Sequence, residues 1–392
     1  MSRDTQVNSD TPYWDQSHRD LRERVHRWAD ANLFASGASS ADLEGRARRL
    51  VRDLGSEGFL RCCVPQPFGG ARVGIQTRDL CIARQELARA SALADTMFAI
   101  QALGSYPVTL AGSEAQKRRL LPAVARGEAI AAFALTEEEA GSDAAALQTT
   151  ALRRGDAYYL NGAKRFVSNA GIADYYVVFA STDAENKAKA ISAFLVAAGA
   201  PGLKLGERTQ MLSPHPIGEL EFVDCLVPLD ALLGVEGRGL EIAFATLDLL
   251  RCTVGAAAVG FAQRALEEAL RYSRSRRQFG RPIVEFQAVA FKLAEMATEL
   301  EAARLLVYRA AWARDRGADE LKKHASMAKL YATETAQRIV DQALQIHGGA
   351  GLIAGSIMER LYRDVRALRI YEGTSEIQKV IIARELLKKP EA

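Results

Sequence analysis

Apolar residues recur every three or four positions between residues 286 and 310, and this repeat constrains the fold more than any other feature. The positions are Phe286, Val289, Leu293, Met296, Leu300, Ala303, Val307 and Ala310. A repeat of more than three heptads predicts a long α-helix with one face packed in a bundle. Residues 254–270 repeat the pattern, and their glycines and alanines would let neighbouring helices approach closely.

The sequence changes character near residues 131 and 236, which divides it into three regions. Residues 1–130 and 236–392 have helical periodicity, whereas residues 131–235 contain short strand-like runs. The runs are Thr149–Leu152, Ala157–Leu160, Tyr175–Ala180, Ile191–Val196 and Leu220–Phe222. Turn residues at 154–156, 161–162 and 200–202 are expected to separate them. We predict an α+β protein with an N-terminal helical domain, a small central β domain and a C-terminal helical bundle.

Composition narrows the class of protein. With 392 residues, 48% of them hydrophobic, the chain can bury a large core. Basic and acidic residues are both spread along the chain and leave a net charge of +3. Because no stretch concentrates Lys and Arg without acids nearby, nucleic acid is not expected as the main partner. Five cysteines without metal-ligand spacing indicate a reduced protein and no metal site. A polar N-terminus and the absence of an apolar run of about 20 residues predict a cytoplasmic protein without a membrane span.

Three segments combine turn residues with groups that could contact a ligand. In Ala134–Asp143, backbone N–H groups and hydroxyls at a turn suit the polar edge of a flat heterocycle, although a surface loop would look similar. In Arg276–Gln287, Arg276 could clamp a phosphate, or the segment could be a charged loop between helices. In Gln345–Gln378, the Gly348–Gly349 pair permits close backbone approach or simply ends a helix.

The residues after 370 place an acid in a loop. Tyr371–Thr374 interrupts the helical periodicity, and Thr374 and Ser375 can cap a last helix over residues 376–387. Glu372 is therefore expected between two helices.

Taken together, these segments resemble the acyl-CoA dehydrogenase family. The matching stretches are ALTEEEAGSD, NGAKRFVSNAGIADYYVVFA, RRQFGRPIVEFQ, QIHGGAG and IYEGTSEIQ, and they occur in the family's order between about residues 17 and 387. The resemblance implies a β-barrel-like central domain, a C-terminal four-helix bundle, and FAD bound between them.

The resemblance also implies site residues by position. Those along the flavin ring and its ribityl chain would be Phe133, Leu135, Thr136, Gly141 and Ser142, with Phe166 and Ser168 at the opposite edge and the Ser168 hydroxyl near N5. Those holding the pyrophosphate and adenine would be Arg276, Gln278, Phe279, Gln287, Gln345, Gly348 and Gly349, with Thr374 and Glu376 completing the site. Those at the substrate would be Ser142, Asp248, Arg251, Tyr371 and Gly373.

The implied reaction is FAD-dependent α,β-dehydrogenation of an acyl-CoA thioester to the trans-2-enoyl-CoA. Glu372 would remove the α-proton, with its pKa raised by burial. Some subgroups carry the base immediately before the arginine that matches Arg251, but Leu250 stands there and cannot serve. The family also implies a homotetramer, a role in fatty acid metabolism and reoxidation by an electron-transfer flavoprotein.

Several residues depart from the family pattern and leave alternatives open. Phe166 replaces a frequent tryptophan, and the stretch from Met211 to Gly218 is atypical. His215 in that stretch is interpreted as a loop histidine, with a catalytic role as the lesser hypothesis. Asp95 and Ala99 are possible lining residues of the acyl pocket. The alternatives to a dehydrogenase are an oxidase, an enzyme acting on a carrier-protein-tethered acyl group, and a non-catalytic helical-bundle interaction protein.

Overall fold

A computed structural model describes residues 11–33, 42–183 and 190–388 of the chain. Along the chain, helices come before and after a central set of strands, which confirms the predicted α+β fold class. The helices in these ranges are α1 (Gln16–Asn32), α2 (Leu43–Ser56), α3 (Thr77–Ala90), α4 (Ala92–Ala111), α5 (Glu114–Ala125), α6 (Gly239–Ser275), α7 (Gln287–Asp315), α8 (Leu321–His347), α9 (Ile357–Arg366) and α10 (Ser375–Leu387). The strands are β1 (Ala131–Ala134), β2 (Thr150–Arg154), β3 (Ala157–Ser168), β4 (Tyr175–Ser181), β5 (Ile191–Ala197), β6 (Leu203–Arg208), β7 (Ile217–Pro228) and β8 (Leu232–Leu233), followed by a two-stranded ribbon of β9 (Arg277–Gln278) and β10 (Arg281–Pro282).

The chain folds into two compact units that cut across the sequence order. Within the described ranges, one unit comprises residues 11–33, 77–95 and 251–388, and the other comprises residues 42–76, 96–183 and 190–250. We refer to them as the helical unit and the sheet unit. The predicted domain boundaries after residues 130 and 235 followed changes in sequence character rather than packing, and they stay a prediction.

The sheet unit is built on a mainly antiparallel sheet with the strand order β6-β7-β3-β2-β4-β5-β8, and β1 pairs in parallel with β4. Every residue of β4 is buried, as expected for a strand inside the sheet. Helix α4 is tied to β1 because the Gln101 side chain donates to the Ala129 carbonyl and accepts from the Ala131 N–H. These two hydrogen bonds fix the start of β1 against α4, and β1 leads into the segment Ala134–Asp143.

The structure corrects one turn and adds length to two strands. The predicted turn at Asn161–Gly162 is wrong, because β3 runs without a break from Ala157 to Ser168. Gly162 instead lies at a register shift against β7, where its φ of 140° suits glycine. β7 is also longer than its predicted core, and β6 was not predicted because its side chains are mostly exposed and lack a clear alternation.

The helical unit confirms the long helix predicted from the apolar repeat. Six residues of that repeat, from Leu293 to Ala310, are buried in the core of this unit. Helix α6 extends the predicted 254–270 segment in both directions. By length and composition α6 could cross a membrane, but 78% of its most apolar window is buried inside the protein, as in the core helix of a soluble protein. The tight packing of α6 follows from its small residues.

Candidate active site

Glu372 lies in the short connection before α10, on a backbone that is unusual for a residue with a side chain. Its φ is 52°, in the left-handed region that non-glycine residues rarely adopt, and Gly373 follows with a φ of 87°. Helix α10 then begins at Ser375, with the Thr374 side chain accepting from the Ile377 N–H. The predicted loop and cap are therefore present, and the strained φ must be held by surrounding contacts.

Two buried side chains hold this loop by its carbonyl groups. The ammonium group of Lys329 on α8 donates to the Tyr371 carbonyl at 3.0 Å and to the Gly373 carbonyl at 2.5 Å. The amide of Gln378 on α10 donates to the Glu372 and Gly373 carbonyls at 3.4 and 2.8 Å. All three carbonyl groups around the acid are thus hydrogen-bonded, which fixes the loop from two helices.

The Glu372 carboxyl group is enclosed, and one of its oxygens lacks a hydrogen-bond partner among the described residues. Its side chain is 12% exposed, and its Oε2 atom makes no hydrogen bond to any described residue. Oε1 lies 4.0 Å from Nη1 of Arg84. Burial raises the pKa of Glu372, while the cations of Arg84, Lys329 and Arg251 act in the opposite direction. A buried carboxyl group with a raised pKa and a vacant oxygen has the properties of a general base.

Arg84, on α3, links Glu372 to a cluster of buried polar side chains. Its guanidinium binds both oxygens of Asp95 at 2.8 and 2.9 Å and donates to the Thr253 hydroxyl at 3.0 Å. Its positive charge also opposes the rise that burial causes in the pKa of the Tyr371 hydroxyl. Asp95, interpreted from the sequence as a possible pocket residue, is thus the counter-ion of an arginine that adjoins Glu372.

In the sheet unit, a buried ion pair between Lys164 and Glu137 holds the segment that follows β1. Lys164 donates to Glu137 at 2.7 Å and to the Leu135 carbonyl at 3.2 Å. Burial lowers the pKa of Lys164 to about 8, although Glu137 opposes the change. Thr136 accepts from the Arg165 N–H, and Gly141 and Ser142 are exposed at the bend beyond. Phe133, on β1 itself, packs its ring 4.9 Å from Phe179.

The end of β3 presents an aromatic ring and a hydroxyl. Between Lys164 and Val167 the register against β7 shifts, and Phe166 has a φ of 53° and is 45% exposed. A bulge of this kind re-aims side chains at a strand end. The next outward residue, Ser168, has its hydroxyl 3.1 Å from Nε2 of His215.

In the helical unit, the structure brings together the two segments predicted to hold the pyrophosphate and adenine. The ring of Tyr272, one turn before Arg276, stacks on that of His347 at 4.4 Å. All of the predicted residues here are exposed, and Phe279 is 92% exposed. They are Arg276, Gln278, Phe279, Gln287, Gln345, Gly348 and Gly349. A Cβ added at Gly348 or Gly349 would meet nothing within 4 Å, so this turn leaves its backbone open to a ligand.

Comparison with known proteins identifies the family. Three models match in order: the acyl-CoA dehydrogenase N-terminal domain over residues 15–128, the middle domain over 132–225 and the C-terminal domain over 237–387. The chain belongs to the acyl-CoA dehydrogenase family. It is therefore an oxidoreductase, as the resemblance predicted.

Similar acyl-CoA dehydrogenases and related proteins match at least 95% of the chain. A probable acyl-CoA dehydrogenase, FadE25 of Mycobacterium tuberculosis, is 40% identical over 376 residues, which are 95% of this chain and 96% of the relative. The structure of butyryl-CoA dehydrogenase from Megasphaera elsdenii has a TM-score of 0.89 at 34% identity and covers 97% of this chain and all of its own. The prolyl acyl carrier protein oxidase AnaB has a TM-score of 0.88 at 33% identity, covering 96% and 100%.

The cofactor of this acyl-CoA dehydrogenase is FAD, since members of the family bind it and several similar structures are FAD complexes. The residues present fit such a ligand. In the sheet unit Phe166 exposes an aromatic ring. In the helical unit Phe279 exposes another, and the Gly348–Gly349 turn exposes open backbone. An extended, partly aromatic dinucleotide needs surfaces of both kinds.

Around Glu372 the structure brings together three of the predicted substrate residues, Tyr371, Gly373 and Arg251. Asp248 lies one turn before Arg251 on α6, Glu376 is exposed on the first turn of α10, and Ser142 belongs to the sheet unit. Sequence reasoning missed four residues that hold the site. They are Arg84, Lys164, Lys329 and Gln378. His215, interpreted from the sequence as a loop histidine, contacts the Ser168 hydroxyl. Lys329 did carry a signal, because it lies among the small buried residues of α8.

Proposed function

We propose that this acyl-CoA dehydrogenase converts an acyl-CoA thioester to the trans-2-enoyl-CoA, with Glu372 as the base for the α-proton. The observation that carries the proposal is the buried Glu372 carboxyl group, whose Oε2 lacks a partner among the described residues while its loop is held rigidly. Such an arrangement leaves one oxygen ready for a proton and fixes where that proton must come from.

The environment of Glu372 suits a base that removes a weakly acidic α-proton from the substrate. A general base works best when its pKa lies near the operating pH, and burial moves the pKa of Glu372 upward towards it. The Glu372 N–H makes no hydrogen bond within the described part of the chain. It can therefore donate to the thioester carbonyl, where negative charge develops as the α-proton leaves.

Bound FAD would supply the acceptor for the β-hydrogen, which leaves as hydride. Thr136, Ser142 and Ser168 would orient the ring, and Arg276 would bind the pyrophosphate. We also propose a homotetramer, in which a neighbouring chain would cover the ring of Phe279, 92% exposed in one chain. We further propose an electron-transfer flavoprotein as acceptor, a role in fatty acid metabolism and a cytoplasmic location.

The test is anaerobic titration of the FAD-loaded protein with acyl-CoA esters of increasing chain length. We expect at least one ester to bleach the flavin, and Glu372→Gln to keep FAD but to slow bleaching about 100- to 10,000-fold. The exposed Glu128→Gln, which removes a carboxylate elsewhere, should bleach at the normal rate. Full-speed bleaching by Glu372→Gln would rule out the base assignment.

A second candidate keeps the same site but changes the acyl donor or the oxidant. It is favoured by the similarity to AnaB, described as a prolyl acyl carrier protein oxidase. If every free CoA ester fails and a carrier-bound acyl group bleaches the flavin, the carrier function is correct. Rapid turnover in air without a dye would indicate an oxidase, and a purified protein that cannot bind FAD would favour a non-catalytic role.

A further inference from the structure

We propose that His215 is a positioning residue that makes the Ser168 hydroxyl accept, rather than donate, a hydrogen bond at flavin N5, and so favours the reduced cofactor. This inference rests on the proposed function and on the position near flavin N5 that the family resemblance implies for the Ser168 hydroxyl. The stretch containing His215 departs from the family pattern, so the device belongs to this chain's own sequence.

The backbone brings the two side chains together across the β3–β7 pair. Ser168, the last residue of β3, is opposite Ile217, the first residue of β7. The Asn169 N–H donates to the Pro216 carbonyl at 2.8 Å and continues this pairing beyond the strand. His215 therefore approaches Ser168 from a fixed direction, although 47 residues separate them in sequence.

A second hydrogen bond decides which nitrogen of His215 carries the proton. Nδ1 lies 3.0 Å from the Ser213 carbonyl oxygen, which can only accept, so Nδ1 is the protonated nitrogen. Burial keeps the pKa of His215 below its ordinary value, and the ring is therefore neutral near pH 7. Nε2 then has a lone pair and no proton.

The Ser168 hydroxyl must consequently donate its single hydrogen to Nε2 of His215, 3.1 Å away. Its oxygen retains only lone pairs for any other neighbour. N5 of an oxidised flavin is an acceptor, whereas N5 of a fully reduced flavin carries an N–H group. A hydroxyl that only accepts forms a hydrogen bond with the reduced form and none with the oxidised form.

Without His215, the same hydroxyl could rotate and donate to oxidised N5. His215 thus reverses which redox state of flavin N5 can hydrogen-bond to the Ser168 hydroxyl, and it does so by acting through Ser168. The size of the effect is that of one hydrogen bond, about 1 kcal/mol, which corresponds to roughly five- to tenfold in an equilibrium. We expect it in the reduction equilibrium of bound FAD rather than in its affinity.

The experiment is anaerobic potentiometry of FAD-loaded His215→Ala and His215→Phe, two variants of different volume. In both, we expect the ratio of reduced to oxidised FAD at a given potential to fall by up to about tenfold, or about 30 mV for two electrons. Leu212→Ala, which shortens an exposed side chain in the same loop, should leave the potential unchanged.

A double-mutant cycle separates this role from a general effect on packing. In a Ser168→Ala background the hydroxyl is absent, so replacing His215 should not change the potential further. An unchanged potential in both His215 variants, or an equal shift with and without Ser168, would overturn the inference. Failure to bind FAD or to be reduced by any acyl donor would instead overturn the proposed function.

Discussion

Nη1 of Arg84 lies 4.0 Å from Oε1 of Glu372, and both residues belong to the helical unit. Arg84 is itself bound by both oxygens of Asp95. The acid therefore has a cation beside it whose charge is already largely balanced. At 4.0 Å, Arg84 is too far away to hydrogen-bond the carboxyl group, but its charge still opposes the effect of burial on the pKa of Glu372.

Replacing Arg84 by glutamine should shift the pH dependence of the reaction. Arg84 lowers the pKa of Glu372 against the larger effect of burial, so its removal raises that pKa. A base must be ionised to act, so the acid limb of the kcat/KM profile should move to higher pH. The measurement is kcat/KM for flavin reduction between about pH 5 and 9.

The same substitution leaves Asp95 buried without its cation, which should lower the free energy of unfolding by about 3–5 kcal/mol. Arg84→Gln combined with Asp95→Asn removes both charges and should restore most of the stability. An acid limb that stays in place in a folded Arg84→Gln protein would contradict the assigned role.

Lys329→Met should impair catalysis without removing the base. Methionine has a similar shape but cannot donate to the Tyr371 and Gly373 carbonyls, so of the two side chains that bind the loop carbonyls only Gln378 still holds the loop. Because small misplacements of a catalytic group are costly, we expect kcat for flavin reduction to fall about 10- to 100-fold while FAD is retained. The exposed Lys322→Met on the same helix is the control. Equal rates for the two variants would show that the loop needs no such tie.

Gly260→Ala tests the close approach of α6 to α3. A Cβ at residue 260 would lie 2.2 Å from the Gln85 carbonyl oxygen, so the backbone must shift. We expect a loss of about 1–3 kcal/mol in the free energy of unfolding, as for overpacked cores generally. Gly74→Ala, where an added Cβ meets nothing within 4 Å, should be nearly neutral. Similar melting temperatures for the two variants would refute the close packing.

Glu86 should contribute stability that depends on pH. Burial alone would raise its pKa, but His26, Arg22 and Arg89 outweigh it and lower the pKa to about 2. A carboxyl group with a depressed pKa in the folded state stabilises above its ordinary pKa of 4.5, and this stabilisation is lost as the pH falls towards 2.

Glu86→Gln should therefore cost about 3–5 kcal/mol at pH 7 and progressively less below pH 4. Chemical denaturation at several pH values checks this, with Glu128→Gln as an exposed control that should match the parent throughout. A cost that does not change with pH would exclude the charge as its source.

Much of the fold could be predicted because it depends on neighbours in sequence. The apolar repeat in residues 286–310 identified α7, and the break at Tyr371–Thr374 placed Glu372 in a loop before a capped helix. The turn predicted at Asn161–Gly162 was wrong because the same residues also suit a bulge, and only pairing with β7 distinguishes the two. Local patterns specify local structure where a single conformation satisfies them.

The sequence by itself determined the fold class, the family motifs and the position of Glu372 between two helices. Only the tertiary structure decided what surrounds that acid and the Ser168 hydroxyl. Lys329 precedes Tyr371 by 42 residues, and Ser168 precedes His215 by 47. Local sequence preferences do not predict such a pair. Its members come together only in the folded chain, where packing has removed water and each buried polar group must find its partners within the protein.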